Sequence, residues 1–315
     1  MNDSLQTDGP RRDRPPEPTV PVVSLDAADA PARIGAALRE IGFFSLTDHG
    51  VDDALIGRAY DAATAFFARP EEEKRRFEVP GALGQRGYTA TGGERAAGAA
   101  AADLKEFFQI GPLEEHAPGG PNVWPDEEFR AAIEPLYAAL RDAAVQVAAA
   151  VSEHLGLGRE FLPDRIVGGE SILRLIHYPP VPADAPPAAT RAAAHADINL
   201  LTLLVGATAA GLEIQTRDGA GWLPVVAQPG QIVADSGDML QNLTGGVIRS
   251  TVHRVVNPPG EGARQARLSM PFFCHPRPDV DLTPLDLPGA EPQRFRTLTA
   301  GEFLTERLKA IRPGG

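Results

Sequence analysis

Three residues of this 315-residue chain have types and spacing that could bind a metal: His195 and Asp197, and further along His253. His195-Ala196-Asp197 precedes the apolar run Ile198–Val205. In an extended backbone, positions i and i+2 point to one side, so this imidazole and carboxylate project together. His253 lies in Ser250-Thr251-Val252-His253-Arg254-Val255-Val256, a segment dominated by β-branched residues, where an imidazole needs a reason. Two imidazoles and one carboxylate on one face of an octahedral ion leave three positions open. That arrangement suits non-haem Fe(II) and its chemistry with oxygen. Each signal is weak alone, because short motifs arise by chance; the combination is what counts.

A second group follows in Arg267-Leu268-Ser269-Met270-Pro271-Phe272-Phe273. Strand alternation puts Arg267, Ser269 and Phe273 on one face and Leu268, Met270 and Phe272 on the other. A guanidinium grips a carboxylate through parallel hydrogen bonds, and a serine hydroxyl adds a donor, so this face reads as a carboxylate socket. The plainer reading is a surface ion pair worth at most about 1 kcal/mol. Phe273 shares the socket's face and is a candidate substrate contact. His177 and Tyr178 alternate, so only one of them can face the same side.

The elements that must position these residues are short strands. Segments 171–178, 198–205, 211–215, 222–227, 231–235, 247–256 and 266–274 have strand character and are separated by turns, which argues for an antiparallel sandwich or barrel. Upstream, Val20–Leu25 and Phe43–Leu46 read as strands. Helices are expected from the spacing of Ile34, Leu38 and Ile41 with Gly42 to end them, from about Asp52 to before Pro70, and over about 127–155. Residues 1–17 are too polar to bury a core and read as a tail. The Gly- and Ala-rich stretch 81–103 reads as an exposed loop or lid.

Composition narrows the functions. Thirty Lys and Arg against 42 Asp and Glu give a net charge of −12, which disfavours nucleic acid and acidic membrane surfaces as partners. No apolar run approaches the roughly 20 residues of a membrane span. A single cysteine, Cys274, cannot form an intrachain disulfide, and the N-terminus lacks a secretory layout, so a cytoplasmic location is expected.

In sum the chain resembles the isopenicillin N synthase-like 2-oxoglutarate/Fe(II)-dependent oxygenases over nearly its whole length after the tail. The resemblance rests on Gly42-Phe43-Phe44-x-Leu46-x-Asp48-His49-Gly50-Val51, Asp103-Leu104-Lys105-Glu106-Phe107-Phe108 and Leu173-Arg174-Leu175-Ile176-His177-Tyr178-Pro179-Pro180. It rests also on His195-x-Asp197, Gly211-Leu212-Glu213-Ile214, Gly237-Asp238-Met239-Leu240, His253-Arg254-Val255 and Arg267-x-Ser269, all in order. The resemblance implies a mainly β fold with flanking helices, built as a double-stranded β-helix, or jelly roll, behind a helical N-terminal region. It implies Fe(II) held by His195, Asp197 and His253. The co-substrates would be O2 and 2-oxoglutarate, whose far carboxylate is bound by Arg267, Ser269 and Tyr178.

The expected reaction is oxidation, most commonly hydroxylation, of a small organic molecule with release of succinate and CO2. The implied division is a tail over 1–17, an N-terminal region over 18–125 with a candidate lid at 81–110 and a buttress helix in 126–165. A catalytic core over 166–285 and a C-terminal extension over 286–315 complete it. Ile176 stands where many plant members carry Asn, and Gly245-Gly246 replaces an Asn-Gly turn. Asp197, which halogenating relatives lack, is present. Two alternatives remain open: an iron oxidase or cyclase that uses no 2-oxoglutarate, and a non-catalytic module that binds metal or keto acid.

Overall fold

The computed structural model describes residues 20–94, 103–114, 119–182, 185 and 189–311. The expected tail and the middle of the candidate lid lie outside the described residues. The N-terminal part runs β1 (Val22–Ser24), α1 (Ala30–Glu40), β2 (Phe43–Thr47), α2 (Asp53–Phe67), α3 (Glu71–Arg75), β3 (Gly87–Thr89) and β4 (Glu106–Ile110). Next come α4 (Glu127–His154), α5 (Pro163–Ile166), β5 (Ile172–Tyr178), β6 (Ala192–His195), β7 (Leu201–Val205), β8 (Leu212–Gln215) and β9 (Trp222–Pro224). The chain closes with β10 (Ile232–Ser236), α6 (Asp238–Leu243), β11 (His253–Val255), β12 (Arg267–Cys274) and α7 (Ala300–Ile311).

Local chemistry explains the helix boundaries. Asp52 caps α2 by accepting from the Ala54 N–H at 2.8 Å. Asp126 caps α4 by accepting from Phe129 N–H at 2.8 Å, with Glu127 and Glu128 favourably placed in the first turn. The turn at Gly245-Gly246 has φ of 57° and 83°, a left-handed conformation glycine adopts without strain.

Eight strands form one sheet in the order β1-β2-β10-β7-β12-β5-β4-β3, and four form a second in the order β6-β11-β8-β9. Strand alternation gives the large sheet two different apolar faces. Phe108, Ile110, Leu173, Leu175, Leu268, Met270 and Phe272 join the helices in the larger core, where α4 crosses β7 and β12. Phe107, Ile176, Tyr178 and Val233 of the large sheet meet Leu212, Ile214 and Val255 of the small one in a second cluster between the sheets. The alternation expected for 267–273 is the one observed.

Four expectations need correction. The strand expected at 198–205 begins only at Leu201. The carbonyls of Asp197, Ile198 and Asn199 instead accept N–H groups from the start of α6, so they cannot join a ladder. The strand expected over 247–256 is only β11, because side chains of Thr244 and Gln241 hold the N–H groups of Ile248 and Ser250. Within 81–110, Gly87–Thr89 and Glu106–Ile110 are sheet strands, not lid. Strand β6 was not foreseen, since its Ala-Ala-Ala-His sequence carries no β-propensity.

Candidate active site

The sheets bring His195 and His253 together by register. His253 on β11 stands directly opposite His195 on β6, and their ring centroids are 4.4 Å apart. Asp197 follows His195 in the loop that leaves the small sheet for the large one. Its Oδ1 lies 3.6 Å from His253 Nε2 and 3.9 Å from His195 Nε2. One potential ligand atom from each residue fits within 4.8 Å of the others. The loop can sit this deep because Gly237 has no side chain; a Cβ there would come within 2.3 Å of the Asn199 carbonyl oxygen.

The donor set fits a divalent metal, judged by what the non-ligating atoms do. His195 Nδ1 lies 2.7 Å from the Ala193 carbonyl and His253 Nδ1 3.2 Å from that of Thr251. A carbonyl can only accept, so each Nδ1 carries the hydrogen and each Nε2 presents a lone pair. The Thr202 hydroxyl donates to Asp197 Oδ2, leaving Oδ1 to face the two imidazoles. Enclosure, more than the neighbouring His253, pushes His195 down to about 4, so the ring is neutral and able to ligate. Behind Thr202 lies the buried Asp235, raised well above the carboxylate range by burial first and then by Asp197.

Arg267, Ser269 and Tyr178 form the second group. β12 pairs with β5 so that Arg267 is opposite Tyr178, and the guanidinium carbon sits 4.9 Å from the centre of that ring. Arg267 is 2% exposed, donates through Nε to the Ala209 carbonyl at 3.0 Å and through Nη1 to Ser269 Oγ at 3.1 Å. No carboxylate of the described residues pairs with it. A buried guanidinium without an anion is costly, so the site is built to receive one. Tyr178 lines the cavity, whereas His177 points to the helical side and stacks on Phe67.

Both groups open into one cavity of about 290 Å³, close to the low end of the roughly 300–1,000 Å³ that small-molecule sites span. Phe273 also lines it, beneath the guanidinium of Arg174 at 5.2 Å. Sequence reasoning missed the polar wall opposite. There Lys105 Nζ lies 2.9 Å from Asp103 and 3.0 Å from Glu94, and Arg174 Nη1 lies 3.1 Å from Glu94. Burial works against the Lys105 charge, but Glu94 and Asp103 outweigh it and raise the ammonium above the ordinary lysine value. Asp103 also accepts from the Ala193 N–H at 3.0 Å, tying this wall to the strand that carries His195. His275 and, from α7, Leu304, Leu308 and Ile311 complete the rim. Asp103, Lys105 and Arg174 stand within the family-like stretches, but nothing in those stretches shows that they meet Glu94 and His275, which lie in separate segments.

The chain is similar to known proteins over most of its length. Residues 20–127 fit the pattern described as the N-terminal region of non-haem dioxygenases in morphine synthesis, and residues 169–276 fit the 2OG-Fe(II) oxygenase superfamily. A 2-oxoglutarate-Fe(II) type oxidoreductase of Aspergillus fumigatus is 32% identical over 85% of this chain and 83% of its own length. The proline hydroxylase buaE of Petromyces alliaceus is 33% identical over 87% and 90%. A solved 2OG-Fe(II) oxygenase family structure from Caulobacter crescentus has a TM-score of 0.80 at 40% identity, covering 92% of this chain and 98% of that one. Among the described residues, no helix is long and apolar enough to cross a membrane.

Proposed function

The chain belongs to the 2OG-Fe(II) oxygenase superfamily, and from that premise we propose that His195, Asp197 and His253 are its iron ligands. It is a dioxygenase with a double-stranded β-helix fold, using Fe(II), 2-oxoglutarate and O2. We assign the far carboxylate of 2-oxoglutarate to Arg267, Ser269 and Tyr178, and Phe273 to the wall of the substrate space. The observation that carries the reading is the cross-strand pair His195 and His253, with both Nδ1 atoms engaged by carbonyls and both Nε2 atoms turned toward Asp197 Oδ1.

When bound, iron and the keto acid together supply an oxidant strong enough for a C–H bond, with succinate and CO2 as by-products. The protein's own residues orient and protect. Thr202 fixes the Asp197 carboxylate, the Ala193 and Thr251 carbonyls fix the imidazole tautomers, and Ser269 steadies the Arg267 fork. Phe43, Ile176, Leu204, Leu212 and Val255 give the cavity apolar lining.

The substrate in this reading is a small organic molecule and the outcome hydroxylation, as the name of the buaE relative states for proline. The functional division of the chain follows the segments 18–125, 126–165, 166–285 and 286–315. A reducing, cytoplasmic setting accords with a single buried cysteine, Cys274, whose thiol burial pushes up to about 12. The test is succinate release from 2-oxoglutarate. We expect it to need added Fe(II) and to disappear in Asp197→Ala; iron-dependent O2 uptake that ignores 2-oxoglutarate would overturn the co-substrate assignment.

A further inference from the structure

The cavity carries a second set of donors that the co-substrate socket leaves unused. Arg174 projects from β5 between the rings of Phe107 at 4.3 Å and Phe273 at 5.2 Å. Its Nε donates to Gln109 and its Nη1 to Glu94, while Nη2 has no acceptor among the described residues. The side chain is 12% exposed and lines the cavity.

The same cavity is lined by His275, 5% exposed and within reach of the Arg174 charge. Its backbone is pinned: the His275 N–H donates to Ser171 Oγ at 3.2 Å, and that hydroxyl donates back to the His275 carbonyl at 3.4 Å. Burial depresses the imidazole to about 4, so it is neutral near pH 7 and carries one hydrogen. Nδ1 is fully enclosed with no hydrogen-bond partner among the described residues. An enclosed N–H without an acceptor is rarer than an enclosed lone pair, so the hydrogen belongs on Nε2, the nitrogen left to face the cavity. Two N–H donors therefore line the same cavity without an acceptor among the described residues.

The charges around them cancel. Lys105 and Arg174 are balanced by Glu94 and Asp103. A carboxylate arriving here would gain no net attraction and would meet Glu94, whereas an uncharged carbonyl needs only the donors. Ile172 and the α7 residues Leu304, Leu308 and Ile311 line the same cavity and suit an apolar body. We infer that Arg174 Nη2 and His275 Nε2 form a carbonyl-reading subsite, and that the substrate is a small molecule bearing an uncharged amide, imide or ring-ketone oxygen. The inference rests on the reading above, in which 2-oxoglutarate occupies the Arg267 end.

The experiment is a calorimetric titration of the full chain loaded with Fe(II) and 2-oxoglutarate under argon. The probes are 2-piperidone, thymine and nicotinamide for uncharged carbonyls, and L-proline and benzoate for carboxylates. At least one uncharged carbonyl should bind. His275→Leu and Arg174→Lys should each weaken it by about tenfold, the scale of one lost hydrogen bond. His275→Gln, whose amide N–H can stand in for Nε2–H, should restore affinity to within about threefold. Binding by carboxylates alone, by no uncharged probe, or equally well in His275→Leu would overturn the inference. Should His275→Leu fail to fold, the comparison of wild type, Arg174→Lys and His275→Gln decides. Failure of the wild type to load 2-oxoglutarate at all is a different result, and would refute the co-substrate reading instead.

Discussion

Two buried ionic clusters lie on opposite faces of the β4–β5 ribbon, and they differ in one respect. On the helical face, Glu106 takes Lys74 at 2.7 Å, His177 Nδ1 at 2.7 Å and the Tyr88 hydroxyl, while Lys74 also donates to the Phe67 carbonyl. On the cavity face, Lys105, Glu94, Asp103 and Arg174 pair with one another, yet Arg174 keeps a donor edge turned to open space. The first cluster is closed and holds the helical layer to the sheet. The second is open and stands where a substrate must lie. Similar residues thus serve packing or recognition according to whether their hydrogen-bonding capacity is used up within the protein.

That contrast can be broken by mutation, because residues around the cavity should affect activity and residues of the closed cluster should affect stability. The largest effect belongs to Asp197→Ala, which should lower succinate formation by at least about a thousandfold, measured with saturating Fe(II) and 2-oxoglutarate. Lys74→Met leaves the Glu106 carboxylate without its cation in a dry core. It should cost about 3–5 kcal/mol in urea unfolding. Arg267→Ala removes charge-assisted hydrogen bonds worth about 1.5–3 kcal/mol, so the 2-oxoglutarate requirement should rise about tenfold to a hundredfold in steady-state kinetics.

The smallest effect is a pH dependence. Burial alone would raise Glu106, but hydrogen bonds from His177, Lys74 and Tyr88 outweigh it and hold the carboxyl below its ordinary value of 4.5. A carboxyl depressed in the fold binds fewer protons there than in the unfolded chain. Its stabilisation is therefore complete above about pH 4.5 and is lost as the pH falls through the depressed value. Thermal melting between pH 7 and 3 should show a shallower acid limb in Glu106→Gln than in the wild type. An unchanged acid limb would mean the closed cluster contributes less than its geometry indicates.

How much of this was legible in the sequence follows the same division. His195, Asp197, His253, Arg267 and Ser269 could be read because each pair sits two residues apart or in a strand of obvious pattern. The alternation of β12 carried directly into the structure. The route was less legible. His195 and Asp197 were expected in one extended run, and they lie instead at the end of β6 and in the crossing loop, since α6 captures the backbone carbonyls there. The open wall was legible only in pieces: Asp103, Lys105 and Arg174 stood within family-like stretches, yet their convergence on Glu94 is set by burial and charge, which leave no periodic trace. His275 continues the two-residue spacing of Arg267, Ser269 and Phe273 one position past the end of β12, a signal that extending the alternation by one step would have caught.

In the proposed function the paired histidines and Asp197 hold iron beside a carboxylate socket. Anaerobic titration of metal-free protein with Fe(II) and then 2-oxoglutarate tests it, by following the weak visible charge-transfer band of a keto acid chelated to iron. A band is expected in the wild type, none in Asp197→Ala, and one in Arg267→Ala that saturates only at about tenfold to a hundredfold more 2-oxoglutarate. A band in Asp197→Ala as strong as in the wild type, or no band in the wild type, would contradict it.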